Sequence, residues 1–231
     1  MTARLRPHYS RSIAILMLIP LLAGCGGILS NPPKRELFRV NPTLAFPAGL
    51  PHANAQLLVA SPTAPAGLDT ERIALSRGPL SLDYFADAQW ADRMPFLVQT
   101  ALVQGFQKSA AIPAVGPDNG GLSADFVLDT AIRDFEAIYD ADGGPPRVSV
   151  ALDVKLVRMP ARRIIAQTSV SREAKASANA LPEVVAAFDS ALGGAVTEVV
   201  TWTLGNRALS ERRGSLRSPA RIAEAVGSAA H

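Results

Sequence analysis

The feature that most constrains the fold is a ten-residue run in which apolar residues recur at every second position. In "VSVALDVKLV" (148–157), Ser149, Asp153 and Lys155 fall between apolar residues. A period of two predicts a β-strand with one face toward an apolar core and the other toward solvent. The residues assigned to the core face are Val148, Val150, Leu152, Val154 and Leu156. Such a strand belongs to a sheet that is covered on one face.

Two neighbouring runs predict that this strand lies between two partners. In "ADFVLDTAI" (124–132), every second residue from Phe126 to Ile132 suits the same core. After Pro160, "RIIAQTSVS" (163–171) gives the third run. Consecutive strands that are joined by short turns pair in the antiparallel direction. Shorter strands are predicted at 36–40, 56–60, 71–75 and 81–85.

Two segments carry apolar residues at the spacing of an amphipathic helix. The first begins at Met94 and places Pro95 in its first turn, where a proline is tolerated. Its polar residues, predicted to face solvent, are Gln99, Gln104, Gln107 and Lys108. The second runs from Leu181 to Leu204, where Gly193 and Gly194 mark either a weak point or the close approach of another backbone. The sequence therefore predicts one α+β domain, an antiparallel sheet packed against two amphipathic helices.

The N-terminal segment, "MTARLRPHYSRSIAILMLIPLLAGC", has the layout of a secretory signal peptide. A basic start precedes an uncharged run, residues 13–22, that is too short to span a membrane. The end of the segment, Leu22-Ala23-Gly24-Cys25, resembles a bacterial lipobox, in which the cysteine thiol is alkylated with diacylglycerol and the chain is cut before it. Residues 1–24 are therefore predicted to be a lipoprotein signal peptide. The alternative is a signal peptide that happens to end near a cysteine.

Cys25 is the only cysteine of the chain, and its surroundings speak against a redox or nucleophilic role. Such a role needs a second cysteine or a partner histidine. The histidines are His8 in the signal, His52 in a proline-rich stretch, and His231 at the last position. Cys25 is therefore predicted to be the lipidation site. Residues 25–35 would form a lipidated tether that reaches at most about 33–36 Å.

The residues after the cysteine bear on the location of the protein. Gly26 and Gly27 follow Cys25, so no aspartate stands at the second position of the mature chain. In proteobacterial lipoproteins this pattern resembles the outer-membrane address. The predicted location is the bacterial cell envelope, with acyl chains in the outer membrane and the protein facing the periplasm. Two or more acyl chains hold a protein firmly to a bilayer.

The charge pattern argues against a nucleic acid as a partner. The chain has a net charge of +3, from 23 basic and 20 acidic residues. Three of the arginines belong to the predicted signal, so the mature chain is balanced and lacks a clustered basic face. Residues 206–231 are predicted to be a flexible Arg-rich tail, because they hold few large apolar side chains. A weak contact of this tail with an acidic surface is the alternative.

No motif indicates catalysis, a metal ion or a cofactor. The chain contains no Gly-rich phosphate loop, no HExxH pair and no G-x-S-x-G elbow. Asp83, Asp87 and Asp92 lie near one another in the sequence, where solvation is expected more often than catalysis. We therefore expect that the protein is not an enzyme and uses no metal and no cofactor.

The segment "LDYFADAQWADRMPF" (82–96) concentrates aromatic residues where a strand gives way to a helix. In one interpretation Trp90 plugs the end of the core and Tyr84 lies on a strand. In the other, Tyr84 and Trp90 contact a partner or a lipid, since aromatic side chains anchor interfaces. The sequence leaves both interpretations open.

A longer stretch that contains this segment, residues 56–106, resembles the ABC-type transport auxiliary lipoprotein family, the PqiC-like lipoproteins. The matching pattern consists of "GLDTERI" (67–73), an "L-x-Y" step (82–84) and "AQWADRMP" (88–95). The resemblance extends over roughly residues 37–204, and we assign residues 36–205 to the domain of this family. The order of these motifs, together with the lipobox, carries the resemblance.

The resemblance implies a non-catalytic lipoprotein that faces the periplasm. Members of the family accompany an inner-membrane ABC transporter and MCE-domain proteins that carry lipids between membranes, and they can assemble as rings of identical chains. The family supplies no catalytic residues. Cys25 transfers as the lipid anchor, while Tyr84 and Trp90 transfer as positions of the pattern.

Three functions follow as hypotheses. The first is an accessory component of an MCE/ABC-type intermembrane lipid transport system. The second is an envelope-assembly lipoprotein that serves lipopolysaccharide export or a cell-wall synthase. The third, a hydrolase or a binding protein for a soluble ligand, requires a deep pocket lined by convergent polar groups.

Overall fold

The computed structural model describes residues 35–121 and 123–210, in which eight strands form one mixed sheet. The strands are β1 (Glu36–Phe38), β2 (Gln56–Val59), β3 (Arg72–Ser76), β4 (Asp83–Trp90), β5 (Ala114–Pro117), β6 (Phe126–Ile138), β7 (Arg147–Arg158) and β8 (Arg163–Lys175). The helices are α1 (Met94–Ser109), α2 (Leu181–Leu204) and the short α3 (Arg207–Ser210), with a 3-10 turn at Asp118–Gly120. The two long helices pack against each other, and α2 also packs against β7 and β8. The predicted α+β domain, a sheet packed against two helices, is confirmed, and the sheet that was predicted to be antiparallel is mixed.

Strand β6 is the centre of the sheet. It pairs with β7, and β7 pairs with β8, in the antiparallel direction that the alternating runs predicted. The other side of β6 is shared by β2, near Phe126, and by β3, near Ile138, and both pairings are parallel. β1 and β5 are further parallel partners, beside β4 and β2. Parallel partners need crossover connections, and α1, between β4 and β5, lies within one of them.

The core face of the sheet is the one that the alternation predicted. In β6 the buried residues include Phe126, Leu128, Thr130 and Ile132, and the five predicted core residues of β7 are buried as well. The register with β7 shifts between Ile132 and Asp134, which leaves Arg133 exposed. A one-residue bulge re-aims a strand. Phe135 and Ala137 therefore continue the core face beyond the bulge.

Helix α1 has the predicted bounds at its start and a buried face that includes Val98, Leu102 and Phe106. Gln99, predicted to face solvent, is instead buried, with 7% of its surface exposed. Its side-chain Nε2 donates a hydrogen bond of 2.9 Å to the carbonyl oxygen of Val59, at the end of β2. Buried polar groups are found where they have a partner. Gln99 therefore ties α1 to the sheet.

Helix α2 has the predicted bounds, with Pro182 in its first turn. Its length and apolarity would suit a membrane span, with a mean hydropathy of 1.4, but 61% of that window is buried in the domain. A Cβ on Gly193 would lie 2.8 Å from the carbonyl oxygen of Thr43. The close approach of another backbone, one of the two alternatives for this glycine pair, is therefore observed.

Strand β5 was not predicted, because Pro113, Gly116 and Pro117 indicated the end of a region rather than a strand. Among the described residues it pairs with β2 alone, which makes it an edge strand. Edge strands tolerate proline, since one side of the strand makes no ladder hydrogen bonds. The structure thus places a strand in a segment whose composition is that of a loop.

The chain continues past Gly205 into α3, whose Leu209 is fully buried. The N–H of Asn54 donates to the carbonyl oxygen of Leu209 at 3.1 Å. The first residues of the predicted tail are therefore packed on the domain. Residues 211–231 lie outside the described part of the chain, as do the predicted signal peptide, Cys25 and the tether through Lys34. The predicted boundaries of these segments stay predictions.

Candidate functional site

The segments that carried the family resemblance lie together in the structure. The loop before β3, residues 65–71, is hydrogen-bonded to the end of β4 and to the start of α1. The backbone N–H of Trp90 donates to the carbonyl oxygen of Glu71 at 2.6 Å, and the backbone N–H of Met94 donates to the carbonyl oxygen of Thr70 at 3.0 Å. The motif thus forms one local unit that turns the chain from strand to helix.

Trp90 lies inside the core, with 1% of its surface exposed. Its ring meets the rings of Phe135 and Phe188 edge to face, at centroid distances of 6.0 and 5.1 Å. Phe135 and Phe188 are stacked at 5.0 Å. Aromatic pairs at these distances stabilise a core beyond the area that they bury. Trp90 therefore joins β4, β6 and α2, in agreement with the interpretation that it plugs the core.

Tyr84 is half-buried, and its polar group is used within the domain. Its hydroxyl donates a hydrogen bond of 2.9 Å to the carbonyl oxygen of Gly67. The guanidinium carbon of Arg72 lies 3.6 Å from the centroid of its ring, in cation–π geometry. A Cβ on Gly67 would lie 2.5 Å from Cδ2 of Leu82, so a larger residue there would displace that leucine. The contact prediction for Tyr84 and Trp90 stays a prediction, and Tyr84 is the member of the pair that reaches the surface.

Asp69 and Arg93 link the loop before β3 to the start of α1. The two side chains form an ion pair between the loop before β3 and the residue that precedes α1. The guanidinium carbon of Arg93 also lies 5.8 Å from the ring centroid of Phe96. Since both charged groups are partly exposed, the ion pair fixes geometry more than it stabilises.

The three acids singled out in the sequence do not form a metal site in the structure. Asp83 and Asp92 each accept a hydrogen bond from the following residue's backbone N–H, at 2.8 and 2.7 Å. Asp87 lies between them on β4 and is exposed. Within residues 35–121 and 123–210, no group of three His, Cys, Asp or Glu residues is arranged to hold a metal ion.

Two carboxyl groups near the core differ from ordinary surface acids. Burial raises the pKa of Glu136, the charge of Asp134 raises it further, and a hydrogen bond with Ser76 opposes the rise. Burial also raises the pKa of Asp189, whose Oδ1 accepts a hydrogen bond of 2.8 Å from the N–H of Asn41. Asp189 thus links α2 to the chain segment that follows β1.

An open groove of about 600 Å³ lies between α2, β8 and the segment after β1. Arg172 and Glu198 cross it as an ion pair of 2.7 Å. Its other lining residues include Thr43, Gly193, Thr197 and Trp202. A site for a soluble ligand would be a cleft that buries most of the ligand, and this groove is broad and open instead.

Exposed apolar side chains are a feature that the sequence analysis missed. Leu80, Leu82 and Phe96 lie in or beside the motif segment and are 101%, 45% and 41% exposed. Two more, Leu37 on β1 and Ile164 on β8, are exposed elsewhere. An isolated leucine in a turn has no periodic neighbours, so its exposure gives no pattern in the sequence.

One comparison identifies a family for most of the predicted domain. The model of the family described as ABC-type transport auxiliary lipoprotein component matches residues 40–200. An uncharacterized protein of Bradyrhizobium diazoefficiens is 32% identical over 154 residues, which cover 65% of the chain and 40% of that protein. The chain therefore spans less than half of the length of this relative.

Solved structures share the fold. A crystal structure of a protein from Xanthomonas campestris is 28% identical, with a TM-score of 0.69 over 73% of the chain and 94% of that protein. A second crystal structure, of an uncharacterized protein, is 14% identical, with a TM-score of 0.58 over 74% of the chain and 99% of that protein. At that identity the second likeness concerns the fold alone.

Proposed function

Because the chain belongs to the family of ABC-type transport auxiliary lipoprotein components, we propose that it is an accessory component of an MCE/ABC-type intermembrane lipid transport system. The family match over residues 40–200 is the observation that carries the proposal. The partners would be an MCE-domain protein and the inner-membrane ABC transporter subunits. A ring of identical chains, which the resemblance implies, is part of the same proposal.

The proposed anchor is Cys25, which would carry acyl chains in the outer membrane and leave the domain in the periplasm. The lipobox at residues 22–25 and the lipoprotein family support this assignment. The tether of about ten residues limits the distance between the acyl chains and β1 to about 33–36 Å. A protein held so close to a bilayer would meet both lipids and other envelope proteins.

The proposed role is non-catalytic. The polar side chains of the motif bond to one another or to the backbone, as in the Tyr84–Gly67 hydrogen bond and the Asp69–Arg93 ion pair. An active site instead holds polar groups ready for a substrate, in a pocket that excludes water. The internal bonding of the motif therefore supports a structural role for these side chains rather than the transformation of a substrate.

Purification of the tagged full-length protein from detergent-solubilised envelopes tests the proposal. We expect an MCE-domain protein and ABC transporter subunits to co-purify with it. The control is Cys25→Ser, which keeps the domain and removes the anchor, and which should recover fewer of these partners. Recovery of lipopolysaccharide-export proteins or a cell-wall synthase instead would favour the envelope-assembly alternative and contradict the proposal.

A further inference from the structure

The turn between β3 and β4, residues 77–82, presents two exposed leucines in one short projection. Leu80 is completely exposed and Leu82 is 45% exposed. Single exposed leucines are ordinary on protein surfaces. Two of them in one turn form a small apolar projection that needs an explanation.

The turn is ordered by its own hydrogen bonds. The N–H and the hydroxyl of Ser81 both donate to the carbonyl oxygen of Gly78, each at 3.2 Å. The N–H of Arg77 donates to Oγ of Ser81, also at 3.2 Å. Unbonded backbone groups are costly to move into lipid. Part of the backbone of the turn is therefore already hydrogen-bonded, which lowers the cost of placing its leucines in lipid.

Arg77, the first residue of the turn, lies close to aromatic side chains. The guanidinium carbon of Arg77 lies 5.9 Å from the ring centroid of Tyr139, and the ring of Phe85 lies 6.5 Å from the same ring. The half-buried Tyr84 follows the turn on β4. Tyrosine and arginine are the side chains that suit the headgroup level of a bilayer, where one end is apolar and the other is wet.

The charges near the turn favour a neutral lipid surface over an anionic one. β3 and β6 end side by side, with Ser76 opposite Ile138, so the turn after β6 lies at the same end of the sheet. That turn carries exposed Asp140 and Asp142, and Asp83 directly follows Leu82. Asp140 forms an ion pair with Arg147 at 4.0 Å, while Asp142 and Asp83 offset Arg77. These charged groups would stay in water, which limits any insertion to the tip of the turn.

The tether brings the turn within reach of a bilayer. The described chain begins at Arg35, ten residues after Cys25, so this distance is at most about 33–36 Å. β1 runs parallel to the end of β4, with Glu36 opposite Ala88. Arg35 therefore lies at the end of β1 that points toward the start of β4, and the turn immediately precedes β4.

We infer that the 77–82 turn inserts Leu80 and Leu82 shallowly into a bilayer of zwitterionic phospholipid and so sets the orientation of the domain on its membrane. This inference rests on the membrane anchoring through Cys25 that is proposed above. Amphipathic elements that lie in the interface bury their apolar side chains by about 5–10 Å. The leucines would occupy that depth, with Tyr84 and Arg77 at the level of the headgroups.

A single-cysteine fluorescence experiment tests the inference on the acylated full-length protein in phosphatidylcholine vesicles. Acylation blocks Cys25, the only native cysteine, so Leu80→Cys supplies the one thiol that reacts with an environment-sensitive dye. The matched control is Ala161→Cys, an exposed position in the turn between β7 and β8. The 12 residues of β7 separate these two ends of the sheet by roughly 40 Å. The control end carries exposed Ile164 and three exposed arginines, Arg158, Arg162 and Arg163, so it is the competing contact surface.

The expected result is a blue-shifted emission at position 80, with quenching by lipids that carry a nitroxide near the headgroup, and neither effect at position 161. Adding Leu82→Asp should reduce the quenching at position 80, whereas adding Ile164→Asp should not; unchanged thermal unfolding would show that both variants fold. Equal quenching at both positions, or none at position 80, would overturn the inference while the anchor stands. Shielding of position 80 in native envelopes but not in vesicles would also overturn it, in favour of a protein partner. A chain that fails to float with vesicles and reacts at Cys25 would refute the anchor itself, and the inference with it.

Discussion

The hydroxyl of Tyr84 donates a hydrogen bond of 2.9 Å to the carbonyl oxygen of Gly67, and this contact joins the two halves of the family motif. Gly67 lies in the loop before β3, and Tyr84 lies on β4, 17 residues later. Arg72 stacks on the ring of the same tyrosine. Tyr84, which the sequence allows as a contact residue, therefore helps to fix the shape of the loop before β3.

Tyr84→Phe should lower the free energy of unfolding by about 1 kcal/mol, because it removes one partly buried hydrogen bond and keeps the ring under Arg72. Urea unfolding followed by circular dichroism measures the change. Tyr139→Phe is the control, since its hydroxyl bonds to Asn179 at an exposed site and should cost less. A larger loss for Tyr139→Phe than for Tyr84→Phe would contradict this account of the motif.

The two central glycines of α2 should respond in opposite ways to alanine. In Gly193→Ala the new Cβ would lie 2.8 Å from the backbone oxygen of Thr43, so we expect a loss of about 1–3 kcal/mol. In Gly194→Ala the nearest atoms belong to the flexible side chain of Arg172, at 3.3 Å. There the higher helix propensity of alanine, worth about 1 kcal/mol, should leave the protein equally or more stable. Equal effects of the two substitutions in denaturant unfolding would show that the close approach is not present.

Thr130→Val should stabilise the domain by about 1 kcal/mol, because Oγ1 of this fully buried residue has no hydrogen-bond partner in the described structure. Valine has nearly the same shape and removes the cost of the buried hydroxyl. Thr203→Val is the matched control, since Thr203 is equally buried but its hydroxyl donates to the carbonyl oxygen of Val199 at 2.7 Å. Thermal unfolding should rank Thr130→Val above the wild type and Thr203→Val at or below it. A destabilised Thr130→Val would indicate that its hydroxyl has a partner in solution.

The pH dependence of stability should identify Asp189 as a carboxyl group that is harder to ionise in the folded protein than in the unfolded chain. Its pKa is raised above the ordinary 3.8 by burial, so the folded protein holds this proton more tightly than the unfolded chain. The resulting stabilisation is complete below pH 3.8 and is lost as the pH rises through the folded pKa. Asp189→Asn keeps an oxygen for the N–H of Asn41 and removes the titration. Its stability relative to the wild type should therefore rise with pH from 3.8 upward, as measured by urea unfolding at several pH values. A difference that does not depend on pH would refute the assignment.

The sequence predicts those parts of the fold whose signal is periodic. The core faces of β6 and β7 follow from a period of two, and the buried stripes of α1 and α2 from a period of 3.6, because burial acts on every turn or pleat alike. The burial of Gln99 does not follow from this periodicity, since its hydrogen-bond partner, the carbonyl oxygen of Val59, is 40 residues away in the sequence. The parallel pairings of β2 and β3 with β6 do not follow from it either, because no local pattern records which strands become neighbours.

The candidate site is predicted less completely than the fold. The sequence locates the motif segment and offers the buried position of Trp90 as one of two interpretations. It does not indicate that Tyr84 is bonded to Gly67, because that contact depends on how the loop before β3 folds over β4. Nor does it indicate the exposed Leu80, which stands in a turn with no repeating neighbour. Contacts across the chain, rather than residue types, decide which of these side chains reach the surface.

Cys25→Ser should abolish incorporation of labelled palmitate and leave the signal peptide uncleaved by the lipoprotein peptidase. The reason is chemical, since a serine hydroxyl does not replace the thiolate as the nucleophile that accepts diacylglycerol. Gly26→Asp is the complementary variant: it should be acylated and cleaved normally but move from the outer to the inner membrane in sucrose-gradient fractionation. Palmitate labelling of Cys25→Ser at the wild-type level would refute the anchor. Unchanged fractionation of Gly26→Asp would refute the outer-membrane address alone, because acylation and sorting depend on different residues of the same tether.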